Sequence, residues 1–346
     1  MVDTMAMLRA FTRPGRTSPH LAAGLPADDE VLLDAPDGRL APVLVAAGRG
    51  DHGPAATLLA TTREAAEWED RDRYVVRLAA FARSRGEWFA DWCALAPDDP
   101  DALLVKAELA LAGAWESPAR AELLRKIAPL VKAATESDPR DPVPWRVALD
   151  HAHGTGAGHR EFERLWGEAV SRSPHHYGCH VAALRHLSSS WHGSHSECFD
   201  FAETAAQDAL PGSLVQALPL RAAYAYLRDD GGAVVDRDRL DAAADRAAAL
   251  SVGYAAGDPG LAEARNLLTF VLVGLSRWED ALTQLRMTGP YATSFPWDRV
   301  GDDPLGVFLD LRQGVLREVA AARSADSVRR LLPRSEHAGR APARDH

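Results

Sequence analysis

The chain has 346 residues, of which 47% are apolar and 25% charged, and its formal net charge is −10. That length supports a sizeable core, in one elongated domain or two compact ones, and the acidic balance argues against a nucleic-acid partner. Three cysteines (Cys93, Cys179 and Cys198) make neither a disulfide framework nor a Cys-x-x-Cys pair, so a reduced cytoplasmic setting is expected.

Arg9, Arg13 and Arg16 precede no long apolar run, so no signal peptide is expected. The longest apolar stretch, near Leu267 to Leu275, is too short to span a bilayer, and no membrane association is expected. Residues 1–36 are broken by Ser18-Pro19, Gly24 and Pro26 and read as a loose N-terminal arm. A helical domain is expected over 37–322. It begins with short helices over Leu40 to Ala47 and about 55–62, on either side of a Gly-rich turn. Val75, Leu78, Ala79 and Ala82 then mark one face of a helix over 71–82. Trp88, Phe89 and Trp92 give the next helix an aromatic face.

Punctuation then recurs. Ala96-Pro97-Asp98-Asp99-Pro100-Asp101 ends one helix and starts another, with Asp99 or Asp101 as the cap. Pro97, Pro139, Pro174 and Pro211 stand 42, 35 and 37 residues apart, and Pro290 follows 79 later, about two units. A period of this size with two helices per unit is a helical-repeat signature. Faces such as Phe162/Leu165/Trp166/Ala169 and Leu240/Ala243/Ala244/Ala247 fill the units, and Pro129 lies inside the helix containing Leu123 to Ala134. Asp258-Pro259 reads as a cap with Pro at the first helical position. A last helix is expected over Pro304 to Ala322, and 323–346, carrying six Arg against three acids, as a disordered basic tail. No strand alternation with hairpin turns is visible. The expected fold is all-α, antiparallel helix pairs stacked side by side.

The helix pairs, the period and Trp278-Glu-Asp-Ala-Leu-Thr-Gln-Leu resemble tetratricopeptide (TPR) repeats. Trp145, Ala148, Leu149 and Ala152 follow the TPR first-helix pattern of Trp, Leu, Gly and Tyr only in outline. Residues 88–228 resemble uncharacterised TPR-like proteins of high-GC bacteria. The shared features are a Trp-x-Gly-Ser corner at Trp191 to Ser194 and an Asp-Pro-x-Pro-Trp start at Asp141 to Trp145. The likeness covers under half of the chain and implies a TPR-like α-solenoid that binds a peptide or protein on a concave surface lined by the first helix of each pair.

At the corner itself, Gly193 relaxes the backbone, Ser194 caps the next helix, and Glu197 completes a capping box. Trp191 supplies an apolar anchor. Nine histidines fall between 151 and 195. His176 and His180 have metal-ligand spacing beside Cys179, but no carboxylate completes a set, so no metal is expected. The Gly-rich stretch His151 to His159 lacks the Walker Lys and follows a helix, so it reads as a turn. Cys179 and His180 are neighbours whose side chains diverge on a helix, and no Gly-x-Ser-x-Gly elbow is present, so no catalytic residue or cofactor is expected. The leading reading is a non-catalytic protein- or peptide-binding scaffold. The alternative is a small-molecule-binding protein or enzyme with a pocket in the His-rich central units, among Trp145, Arg146, His151, His180, Arg185, His186 and Tyr224.

Overall fold

The computed structural model describes residues 19–188, 193–229 and 235–331, and among them the fold is helical apart from one pair of two-residue strands. The N-terminal segment holds α1 (Pro19–Ala22) and β1 (Leu32–Leu33). The body follows as α2 (Leu40–Ala47), α3 (Gly53–Glu64), α4 (Trp68–Ser84), α5 (Glu87–Leu95), α6 (Pro100–Glu116), α7 (Arg120–Ser137), α8 (Val143–Thr155) and α9 (His159–Arg172). It continues through α10 (Tyr177–His186), α11 (His195–Asp208), α12 (Leu218–Arg228), α13 (Arg237–Val252), α14 (Ala262–Gly274) and α15 (Trp278–Thr288). The chain closes with β2 (Tyr291–Ala292), α16 (Ser294–Trp297) and α17 (Pro304–Leu331).

Local chemistry sets the ends. Asp99 Oδ1 accepts the Asp101 and Ala102 N–H groups at 2.8 and 3.2 Å, and Pro100 opens α6 with no N–H to leave unpaired. Ser194 Oγ accepts the Glu197 N–H at the start of α11. The Glu197 carboxylate takes the Ser194 hydroxyl at 2.9 Å, so the expected capping box is half formed. Gly193 is required sterically, because a Cβ there would collide with the Leu187 carbonyl oxygen. Trp191 lies outside the described residues. α7 continues across Pro129 as one element.

Packing follows two rules. Successive helices from α2 to α15 touch in turn, and the alternate members α4, α6, α8, α10, α12, α14 and α16 touch in series. Helix α4 also reaches past its neighbours to α8 and α10. Apolar burial falls in two large clusters. One runs from Leu40 to Ala148 and includes Trp88, Phe89 and Trp92, with ring centroids 5.5 Å (Trp88–Phe89) and 6.1 Å (Phe89–Trp92) apart. The other gathers Val181 to Val319, and a smaller group around Phe162 and Cys179 lies between them.

Four expectations need correction. The expected loose arm over 1–36 does not hold for its described part: the segment from His20 onward lies against the body, with Leu21 and Val31 buried in the C-terminal cluster, and residues 1–18 lie outside the described residues. β1 pairs in parallel with β2, Leu32 facing Tyr291 and Leu33 facing Ala292, a pairing too short to show as alternation. The tail boundary moves as well, since α17 runs to Leu331, past the expected end at 322. Asp258-Pro259 is not a helix cap: Asp258 Oδ1 accepts the Gly260 N–H in a turn, and α14 begins later, at Ala262.

Candidate functional site

The central units hold the candidate residues, and their chemistry starts with two buried arginines. Arg71 projects from α4 with 1% of its side chain exposed. Its guanidinium meets Asp101 and Asp141 at 2.7 Å each and donates to the Leu59 carbonyl at 2.8 Å. Asp141 serves twice, since its other oxygen accepts the Val143 N–H at the start of α8. Burial raises the Asp141 pKa, against the pull of Arg71. Arg146 on α8 binds Asp72 of α4 at 2.7 Å, Glu108 of α6 at 2.6 Å and Asp150 one turn on at 3.5 Å. Burial alone would lower its pKa, but the three acids outweigh burial and hold it well above the usual arginine value. Arg185 of α10 reaches the same Asp150 at 3.0 Å.

Helix α10 completes this hub. Its first N–H, from Tyr177, is donated to Glu69 Oε1 of α4 at 2.7 Å, a carboxylate placed where a helix N-terminus favours one. Desolvation nevertheless raises the Glu69 pKa. Gly178 lets the helices approach, because a Cβ there would collide with Asp72 Oδ2 and lie 3.3 Å from Arg146 Cγ. The buried charges Asp72 of α4, Glu108 of α6, and Arg146 and Asp150 of α8 thus pair with one another.

A cysteine, a histidine and an aspartate also meet here. His176 Nδ1 lies 3.1 Å from Cys179 Sγ, and His176 Nε2 lies 3.6 Å from Asp72 Oδ2. The residue types suit nucleophilic catalysis. The setting does not: Cys179 is 0% exposed and His176 1%. Burial pushes the thiol pKa well up, so it stays protonated, out of reach of any substrate. His176 is not on the helix face with His180; it is the N-cap of α10, its Nδ1 accepting the Cys179 N–H. The residue spacing hid this pairing by directing attention to Cys179 with His180.

The other candidates are tied up singly. The Arg172 guanidinium sits 4.3 Å over the Trp145 ring. His151 Nε2 donates to the Leu124 carbonyl at 2.7 Å, and His180 Nδ1 to the His176 carbonyl at 2.9 Å. Burial lowers the His180 pKa, and its ring lies edge-on to Trp166, 5.0 Å away. His186 is buried, stacked on Phe162 at 3.7 Å. Tyr224 packs edge-on against Phe270 and Phe295 and accepts a bond from Arg228 at 3.0 Å. Of the seven, the structure joins Arg146 and Arg185 through Asp150. Neither an open hollow of about 820 Å³ at Gly158 to Arg164 nor a 30 Å³ void at Asp34, Arg73 and Tyr291 is lined by any of them. The His151 to His159 stretch is mostly helix, since α8 runs to Thr155 and ends at Gly156. His195 is buried against Asp229 at 3.0 Å, while His192 lies outside the described residues. Among the described residues no group of three or more His, Cys, Asp or Glu could hold a metal, and no helix is long and apolar enough to cross a membrane.

Comparison with known proteins finds no matching family model, no significantly similar curated protein and no significantly similar solved structure.

Proposed function

We propose that the chain is a non-catalytic, TPR-like scaffold of stacked antiparallel helix pairs that holds a protein or peptide partner. The supporting observation is the fate of the candidate ligand residues. Trp145, Arg146, His151, His180, Arg185, His186 and Tyr224 are each engaged by a neighbouring side chain or carbonyl, so the chemistry that a small-molecule pocket would use is taken up within and between helices instead. Contacts between alternate helices support the repeat part of the reading, since stacking is how units without a closed core of their own bury their faces. The hub also directs the partner elsewhere: the faces where α4 meets α8 and α10 are filled, so binding belongs on another surface.

The test is affinity isolation of the full-length chain at native expression. The reading expects a protein partner retained in fixed proportion through purification. A folded, abundant chain that returns alone, while a metabolite raises its melting temperature, would replace this reading with the small-molecule alternative.

A further inference from the structure

The N-terminal segment is held as a peptide ligand would be held. Between His20 and Asp34 only Leu21 and Val31 are buried, and both enter the apolar cluster that contains Leu282, Leu285, Ala292, Leu311 and Val315. The grip between these anchors is mostly on backbone. Arg286 of α15 donates to the Leu21 and Ala23 carbonyls at 3.0 Å each. Arg312 of α17, with 4% of its side chain exposed, donates to the Pro26 carbonyl at 3.0 Å and pairs with Asp28. The Leu32 and Asp34 N–H groups donate to the Pro290 and Ala292 carbonyls at 2.8 Å each, adding a strand to the edge of β2. The receiving edge is fixed from behind: Asn266 donates to the Tyr291 carbonyl at 3.0 Å and accepts from Trp297 Nε1 at 2.8 Å.

Strand addition with two buried apolar anchors and arginines donating to carbonyls is a peptide-recognition mode. Such a grip reads backbone shape, two buried anchors and two acids, Asp28 on Arg312 and Asp34 on Arg77 and Ser294, with Leu25 and Leu33 packed at its edge. The occupying segment is shallow: apart from its two anchors, its residues keep partial or full exposure. Segments with few buried apolar contacts open below the cost of global unfolding.

We infer that the seat formed by β2, Arg286 of α15 and Arg312 of α17 is a peptide-binding site, filled in the resting chain by residues 20–34 as a displaceable internal ligand. Its external ligand is a segment of the same shape, a helical turn at the first of two aliphatic anchors ten residues apart, a carboxylate between them and a short strand after the second, spaced as in Leu21, Asp28 and Val31. This rests on the scaffold reading and names the partner chemistry for it. Competition is intramolecular. A short tether gives the internal segment an effective concentration of roughly millimolar order, so a partner is admitted only when it outcompetes that segment.

The experiment is a titration of a fluorescein-labelled peptide of residues 19–36 into the full-length chain. One arm uses the wild type and a second the Leu21→Asp/Val31→Asp variant, which expels the internal segment. A third adds Arg286→Ala and Arg312→Ala to that variant. The expelled variant should bind the peptide at least ~10-fold more tightly than the wild type, as removal of a tethered competitor requires. Loss of the arginines should weaken binding by a similar factor. If the double-Asp variant does not melt cooperatively, Leu21→Ala/Asp28→Ala takes its place, with an expected gain of about threefold. A folded variant that binds no better than the wild type, or binding indifferent to the arginines, would overturn the inference. The scaffold reading is judged apart: a partner retained equally by wild type and by Arg286→Ala/Arg312→Ala removes the seat and leaves the scaffold standing.

Discussion

The hub around Arg71 and Arg146 and the seat under residues 20–34 both use arginine, with opposite consequences. In the hub each guanidinium is buried among carboxylates from other helices, so every partner depends on every other. In the seat Arg286 and Arg312 hold mainly carbonyls of a segment that is otherwise half-exposed. A buried ion pair is close to neutral against apolar packing, but breaking one strands a charge. The hub therefore fixes which helices meet, and the seat can exchange what it holds.

Substitutions should separate the two regions. Arg146→Met leaves Asp72, Glu108 and Asp150 facing one another in a buried site, and should cost about 3–5 kcal/mol in urea unfolding. A loss under ~1 kcal/mol would mean that the three acids find other partners. Gly178→Ala pushes a methyl into Asp72 and should cost about 1–3 kcal/mol by the same assay, with helical content kept. Arg312→Ala should lower global stability by only about 1 kcal/mol. Its distinctive effect is faster hydrogen exchange at the Leu32 and Asp34 amides, with those of α4 and α8 unchanged.

Acid should act in opposite senses on the two regions. Burial would raise the Asp34 pKa, but bonds from Arg77 and Ser294 outweigh it and hold the pKa below 3.8. Asp34 therefore stabilises the seated segment above pH 3.8, and that contribution is lost as pH falls through its lowered value. Glu69 is raised by desolvation above 4.5, so its contribution is complete below 4.5 and is lost as pH rises through its raised value. Glu69→Gln should accordingly gain stability relative to the wild type across that rise, read from urea midpoints at stepped pH. A flat difference would remove Glu69 from the hub's electrostatics.

Helix positions were readable because they are local. The Leu40 to Ala47 helix, the Asp99 cap and the Ser194 cap each depend on residues within a turn of one another. Arg71 was not readable. It sits beside the apolar face of α4 as an ordinary polar residue, and its partners Asp101 and Asp141 stand in the Asp-Pro punctuation between helices, where Asp141 also accepts the Val143 N–H. The histidines were misleading for a related reason: their density reflects contacts between helices, with His151 bonded to the Leu124 carbonyl of α7 and His186 stacked on Phe162 of α9. The N-terminal segment was hidden because Leu21 and Val31 carry no period, and the strand partner of Leu32 lies more than 250 residues away. One signal was available, since Arg312 lies beside the apolar face of a C-terminal helix, where a buried arginine needs acceptors from somewhere.

The most direct test of a fixed hub and an exchangeable seat is native-state hydrogen exchange of the full-length chain across sub-denaturing urea. The Leu32 and Asp34 amides should exchange through a local opening that is insensitive to urea, at least ~100-fold faster than the amides of α4 and α8, which should open only with global unfolding. Equal protection and equal urea dependence in both regions would contradict the account, because the segment would then be as permanent as the hub.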